Sequence, residues 1–142
     1  MTMTGNNEDT IKDNQASYLD IAMFISNYGA NIEANLHQLW RRIIFNIAIS
    51  NTDDHLRNHG FLLSKKGWIL SPLYDVNPIP YGDTLSLNVT DDDNRISLPT
   101  LINFSELIGM DSLKAKQDIK FILQTVHNNW ESLAKTQKIP RE

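Results

Sequence analysis

Three oxygen-bearing side chains mark where this sequence can do chemistry: Asp53, Asn58 five positions later, and Asp75 beyond two short apolar runs. Moving a phosphoryl group onto a hydroxyl requires a carboxylate that orients and deprotonates the acceptor. It also requires an amide and a second carboxylate that hold magnesium on a triphosphate. Magnesium is a hard cation that takes oxygen ligands and keeps several of its waters, so a few protein ligands suffice. Taken alone, the same residues also suit a turn started by Asp53 and Asp54 and a cap at Asp75. The intervening hairpin favours the chemical reading. Four residues out at about 3.3 Å each and four back return a chain near its start. The segment after Trp68-Ile69-Leu70-Ser71 can therefore bring Asp75 beside Asn58. Pro72 and Pro78 restrict the backbone on either side of Asp75, which suits a metal ligand better than a generic surface loop.

The elements that must position these residues are legible from periodicity. IEANLHQLWRRIIFNIAIS places Leu36, Leu39, Trp40, Ile43, Ile44, Ile47 and Ala48 on one apolar stripe, which predicts a central helix. The polar run SNTDDHLRNHG follows directly and reads as a loop mounted on that helix. Before it, SYLDIAMFISNYGAN predicts a short helix capped by Ser17 and stopped at Gly29, with Leu19, Ala22, Met23 and Phe24 near one face. After the loop, Phe61 to Ser64 and Trp68 to Ser71 predict a hairpin, with Gly67 at the left-handed position of a three-residue loop Lys65-Lys66-Gly67. SPLYDVNPIPYG is irregular because of its prolines. Leu85 to Val89 suits a further strand ending in a solvated tip, TDDDNR. A helix is expected from about Pro99 to Gly109, then a long one from Asp111 through Leu113, Ile119, Ile122, Leu123, Val126, Trp130 and Leu133, closing the domain. Residues 1–16 hold few apolar groups and predict a flexible arm. The fold class is mainly α, an α+β domain over residues 17–142.

Composition removes several function classes. The 142 residues include no cysteine, which excludes disulfides, Cys-ligated metal sites and a thiol nucleophile. A net charge of -4, from 13 basic and 17 acidic residues, argues against a general binder of the nucleic-acid backbone. The longest apolar run, Ile43 to Ile49, is broken by Asn46 and too short to cross a bilayer, and the first fifteen residues lack a signal-peptide core. These features predict a soluble, cytoplasmic chain with no membrane partner. His55 and His59, beside Asp53 and Asp54, raise a transition-metal hydrolase, but aiming both imidazoles at one ion needs helical spacing that a turn before a hairpin does not supply. Asp91-Asp92-Asp93-Asn94 departs from a calcium loop, with Ile96 at the sixth position and Ile102 at the twelfth. Trp40, Trp68 and Trp130 are expected in the core.

FNIAISNTDDHLRNHGFLL followed by GWILSPLYDVNP closely resembles the C-terminal part of HipA-type serine/threonine kinases, the toxins of bacterial toxin–antitoxin pairs. The resemblance runs from about Ser17 to the end and includes SYLDIA, ISLPTLINFSELIG and the last helix with Trp130. It implies the helical C-terminal lobe of a protein-kinase-like fold. Asp53 would be the catalytic base, Asn58 and Asp75 the Mg2+ ligands that also hold ATP, and His55 and Arg57 the phosphate-contacting residues. Arg57 is the stronger phosphate partner, being charged at all working pH.

The glycines, at 5, 29, 60, 67, 82 and 109, are too scattered for a phosphate-covering loop, and no VAIK-like strand presents a lysine. The family carries those parts in an N-terminal portion without counterpart here, so the isolated chain is expected to be weakly active or inactive. MTMTGNNED itself resembles an internal stretch of the family, which makes Met1 an internal methionine or the start of a truncated gene. The partners implied are a helix-turn-helix antitoxin, a separately encoded N-terminal kinase lobe and a protein substrate among translation components, such as an aminoacyl-tRNA synthetase. The alternative is a non-catalytic remnant or split subunit that docks through exposed apolar surface or self-associates.

Overall fold

The first helix begins where an acidic side chain satisfies a free backbone amide. Asp20 Oδ2 accepts from the Ser17 N–H at 2.8 Å, at the head of α1 (Tyr18–Tyr28). The computed structural model describes residues 16–140. Among them are four α-helices, a 3₁₀ turn at Leu56–Asn58 and one two-stranded antiparallel hairpin, so the fold is the expected mainly helical α+β type. Residues 1–15 of the expected arm lie outside the described residues. Ala16 is buried, and its carbonyl accepts from the Asn88 N–H at 3.1 Å.

The inner face of α1 is rotated from the expected one: Tyr18, Ile21, Ala22 and Ile25 are buried, whereas Met23 is exposed. The rotation follows from Tyr18, which turns its hydroxyl into the interior. Phe24 instead packs sideways on the hairpin, 4.6 Å from the Phe61 ring and 6.3 Å from Trp68. The central helix, α2 (Ile32–Ala48), buries Leu39, Trp40, Ile43 and Ile44 completely. Leu36, Ile47 and Ala48 are half-buried at its margins. Trp40 stacks on Phe104 with ring centres 6.4 Å apart.

Strands β1 (Phe61–Ser64) and β2 (Gly67–Leu70) pair in the register Phe61 with Leu70 through Ser64 with Gly67. The connection is therefore the two residues Lys65 and Lys66, one shorter than expected, and Gly67 already belongs to the second strand. Its φ of +130° permits a close approach, because a Cβ there would lie 2.9 Å from both Ala30 N and Tyr28 O. Leu85 to Val89 does not form the expected strand. Leu85, Leu87 and Val89 are buried in alternation, but the pairing is confined to isolated bridges at Ser17–Asn88 and Thr84–Arg95. The Val89 N–H turns back to Asp93 O at 2.7 Å, so no ladder extends. Nor is the tip wholly solvated. Arg95 holds the Asp93 carboxylate through Nε and Nη2, and Thr100 Oγ1 donates to it at 2.8 Å, tying the tip to the next helix.

That helix, α3 (Leu98–Leu107), is capped by Ser97 Oγ accepting from the Thr100 N–H at 3.2 Å. Gly109 follows at φ 75°. In α4 (Ser112–Thr136) the Asp111 carboxylate accepts from the Lys114 N–H at 3.0 Å, and Asp118 meets His37 of α2 at 2.7 Å. Only the N-terminal half of α4 closes the core, through Ala115 and Ile122 with Ile119 and Val126 half-buried. Leu113, Leu123, Trp130 and Leu133 are exposed, so Trp130 is not the core residue that its periodicity suggested. Trp40 is fully buried, and Trp68 is half-buried on β2.

Candidate functional site

The loop after α2 is polar in sequence yet largely interior. Ser50, at φ 60°, reverses the chain, and the Asn51 N–H returns to Asn46 O at 2.8 Å. From Thr52 onward burial alternates: Thr52, Asp54, Leu56 and Asn58 are buried, while Asp53 and Arg57 are exposed and His55 is intermediate. Extended backbone sends successive side chains to opposite faces, and His55 is extended (φ -131°, ψ 159°). The adjacent aspartates thus part company. The Asp53 carboxylate faces solvent with 66% of its side chain exposed, and the Asp54 carboxylate faces the core.

Asp54 is the hub of the loop. Its Oδ2 accepts from the Tyr18 hydroxyl at 2.7 Å, Asn46 Nδ2 at 2.9 Å and His59 Nε2 at 2.7 Å. A carboxylate can only accept, so His59 carries a proton on Nε2. Burial pushes the Asp54 carboxyl up. The hydrogen bond and electrostatic pull of His59, with the hydrogen bond from Tyr18 and the nearby Asn58 side chain, outweigh burial and hold it below its ordinary value. Burial, and the nearby Asp54 charge, push the Tyr18 phenol well above its usual range, so it remains the donor. The Asn46 amide is itself fixed at its other end, where Oδ1 accepts from Asn51 Nδ2 at 3.2 Å.

The Asp75 segment is tied to this loop at three places. The Tyr74 hydroxyl donates to Arg57 O at 2.7 Å, the Ser71 N–H to Gly60 O at 2.9 Å and the Ile79 N–H to Ser50 O at 2.9 Å. Arg42, buried in α2, donates through Nη2 to Ser71 O. The first tie runs from the side-chain hydroxyl of the residue before Asp75 to the carbonyl of the residue before Asn58, so the loops of the two predicted ligands are linked through a tyrosine side chain. Asp75 is exposed and left-handed (φ 54°), and its Oδ1 accepts from Asn77 Nδ2 at 3.1 Å. A non-glycine residue in that region costs on the order of 1–3 kcal/mol and persists where its surroundings enforce it.

The structure thus places the sequence-predicted residues in two roles. Asp53 and Arg57 are exposed, and Asp53 Oδ1 accepts from His55 Nε2 at 3.0 Å. His55 is therefore engaged with the candidate base, and Arg57 is the cation whose side chain stands free of acidic partners among the described residues. Asn58 is buried, but its Oδ1 accepts no hydrogen bond from a described residue. It is also not among the sealed, unpartnered polar atoms, which belong to Trp40, Arg42, His55 and His59. That carbonyl oxygen is accordingly open. An open amide oxygen and an exposed carboxylate on joined loops are the hard oxygen donors that magnesium takes, so the residues present fit that ion. They do not fit a histidine-bound transition metal: His55 and His59 point to different carboxylates, and no cluster of three acidic or imidazole groups forms among the described residues.

Sequence reasoning missed Tyr18, Asn46, Asp54, His59, Arg42 and Tyr74. One signal was available. Asn35, Arg42 and Asn46 share one side of α2 next to its apolar stripe, and buried polar groups at that spacing require interior partners.

A family model for the HipA-like C-terminal domain matches residues 1–132. The chain belongs to that family. Over 68 residues it is 40% identical to a curated Haemophilus influenzae protein named "Putative kinase", a match covering 45% of this chain and 20% of that protein. The fold is similar to HipA of Shewanella oneidensis MR-1, solved with HipB and its operator DNA. The TM-score is 0.70 at 16% identity, over 97% of this chain and 33% of that one. The HipA-like chain therefore spans a third or less of these relatives. Among the described residues no helix is long and apolar enough to cross a membrane.

Proposed function

We propose that this HipA-like domain carries the base and the metal ligands of a magnesium-dependent serine/threonine kinase of the toxin–antitoxin type. The observation that carries the reading is the Tyr74–Arg57 hydrogen bond, which joins the loop of Asp75 to the loop of Asp53 and Asn58. Asp53, open to solvent and held by His55 Nε2, accepts the proton of a substrate serine or threonine hydroxyl. The oxygen then bonds to the γ-phosphorus of ATP, the bridging bond to the β-phosphate breaks, and ADP leaves. Asn58 Oδ1 and Asp75 would hold Mg2+, which neutralises charge on the triphosphate when bound. Arg57 is the side chain available to the transferred phosphoryl group, with His55 orienting Asp53 from the same face.

The remaining parts come from elsewhere in the kinase. Without a glycine-rich loop or a strand lysine, the 142-residue chain alone transfers phosphate weakly or not at all. An antitoxin and a translation-component substrate are the partners that family membership suggests. A second reading is favoured by the exposed apolar side of α4. There Leu123, Val126 and Trp130 line a groove of about 640 Å³ with Ala48, Ile49 and Pro78. In that reading the chain is a non-catalytic subunit that docks a separately encoded N-terminal kinase portion through the groove.

Magnesium-dependent ATP binding separates the two. Resonances of Asp53, Asn58 and Asp75 that shift only when Mg2+ and ATP are both present, and not in Asp75→Asn, support the catalytic reading. A folded chain with no such response refutes it and leaves the docking reading. Robust ATP-dependent phosphorylation by the chain alone would refute the division of parts.

A further inference from the structure

Arg42 is a buried cation with no counter-charge in contact. The residue is 3% exposed, its Nη2 donates to the neutral carbonyl of Ser71, and its Nε and Nη1 are sealed and reach no acceptor. No carboxylate lies within ion-pair distance of it among the described residues. The only buried acidic side chain among them, Asp54, already takes hydrogens from Tyr18, Asn46 and His59. Burial pushes the Arg42 pKa down, and the more distant charges of Asp54 and Tyr74 offset this only in part. A guanidinium does not escape by losing its proton, and an unpaired ion in an interior is costly.

A cavity of about 290 Å³ opens beside it. Gln38, Arg41, Arg42 and Phe45 form one wall, because residues three, four and seven apart share a face of α2. Leu73 of the Asp75 segment and Ile122 of α4 complete the lining. Its polar groups are two guanidiniums and one amide, with no acidic side chain. A water, which takes about 30 Å³ in the liquid, fits but brings no charge. An oxyanion supplies both things this lining lacks, acceptors for N–H groups and negative charge beside two cations.

We propose that the cavity is a binding site for an oxyanion, a phosphate or carboxylate group, held between Arg41 and Arg42 with Gln38 as a further donor. Phe45, Leu73 and Ile122 give it an apolar side suited to the carbon stem that carries such a group. Leu73 is itself exposed, so little packing is lost when it turns aside and the ligand reaches Nε and Nη1 of Arg42. The inference does not depend on the roles proposed for Asp53, Asn58 and Asp75.

The test is an NMR titration of the full chain with sodium phosphate and, separately, sodium acetate, against sodium chloride at equal ionic strength and pH. The expected result is a saturable shift of the Arg41 and Arg42 Nε–H resonances and of the Leu73 and Ile122 methyls with an oxyanion and not with chloride. Saturation by phosphate alone assigns a phosphoryl group and saturation by acetate assigns a carboxylate, and either supports the site. Arg41 is exposed, so Arg41→Gln keeps the fold, and it weakens binding by about 10-fold or more, the worth of a hydrogen bond to a charged group. Arg42→Met abolishes the saturable shift with helical circular dichroism retained; should that variant fail to fold, Arg41→Gln decides. No saturable shift in the natural chain, equal shifts at exposed Lys65 and Lys66, or unchanged affinity in Arg41→Gln overturns the proposal.

Discussion

Replacing Tyr18 with phenylalanine isolates one bond of the hub. The ring remains, still edge-on to His59 at 5.8 Å, and only the hydroxyl that donates to Asp54 at 2.7 Å is removed. Both partners are buried, and the acceptor is a carboxylate, so the loss lies in the range for hydrogen bonds to charged groups, about 1.5–3 kcal/mol. With a urea m-value of about 1–3 kcal/mol/M, the unfolding midpoint falls by roughly 1 M with an unchanged slope. The pH dependence gives an independent check. Asp54 is held below its ordinary value of 3.8, so its stabilisation is complete above that pH and is lost as pH falls through the lower folded value. The hydroxyl is one cause of that depression. Tyr18→Phe therefore raises the folded value, and the stability gap between the two proteins narrows below about pH 4 toward the worth of a neutral hydrogen bond, about 0.5–1.5 kcal/mol. Urea titrations by circular dichroism at neutral pH and near pH 3 measure both effects. An unchanged midpoint, or a gap that widens in acid, would refute the hub argument.

Asp53→Asn, made in a complete kinase carrying this domain, lowers phosphoryl transfer by about 10²- to 10⁴-fold. Because its side chain is mostly exposed, thermal unfolding shifts by no more than about 0.5 kcal/mol; a large stability loss would mark it as structural. Tyr74→Phe removes the tie to Arg57 O, and the amides of Ser71 and Ile79 then exchange about 2- to 12-fold faster, the equivalent of a neutral hydrogen bond. Unchanged exchange would mean that the tie does not hold the Asp75 loop. Gly67→Ala, at φ +130° with backbone atoms of Tyr28 and Ala30 at 2.9 Å, costs more than about 1 kcal/mol in urea unfolding monitored by Trp68 fluorescence. A neutral result would mean that the close approach of the hairpin to the turn after α1 is slack.

The parts of this fold that the sequence disclosed are those governed by one local rule. The apolar stripe of α2 required only period 3.6, and the helix starts expected at Ser17, about Pro99 and Asp111 required only a capping side chain or a proline in the first turn. Where two rules competed, reading failed. In α1, Leu19, Ala22, Met23 and Phe24 have the better apolar spacing, but the Tyr18 hydroxyl has a carboxylate to reach and sets the rotation. In α4 the apolar period runs past the body of the domain, so periodicity promised burial for Trp130 and Leu133 that no described element supplies. Leu85 to Val89 alternates as a strand does, yet a strand needs a partner edge, and only single bridges are present. For the site, types and spacing brought out Asp53, Asn58 and Asp75. They were silent on the interior hub, since nothing local distinguishes an aspartate that faces solvent from its neighbour that faces the core.

The loop resolves that ambiguity through the period of extended backbone. A carboxylate that takes a proton from a substrate must be reachable, whereas a carboxylate that organises a loop must be buried and saturated with donors. One residue cannot meet both demands. Two aspartates in succession, of which the first faces His55 and solvent and the second faces Tyr18, Asn46 and His59, can divide these demands if Asp53 is the proposed base. Beyond His55 the 3₁₀ turn Leu56–Asn58 sets Arg57 outward and Asn58 inward. Shifting the segment by one residue would exchange the two aspartates, leaving Asp53 sealed in the core and Asp54 exposed. The bonds that fix its register, from Asn51 N–H to Asn46 O and from Ser86 N–H to Thr52 O, are therefore as much a part of the site as the carboxylates they align.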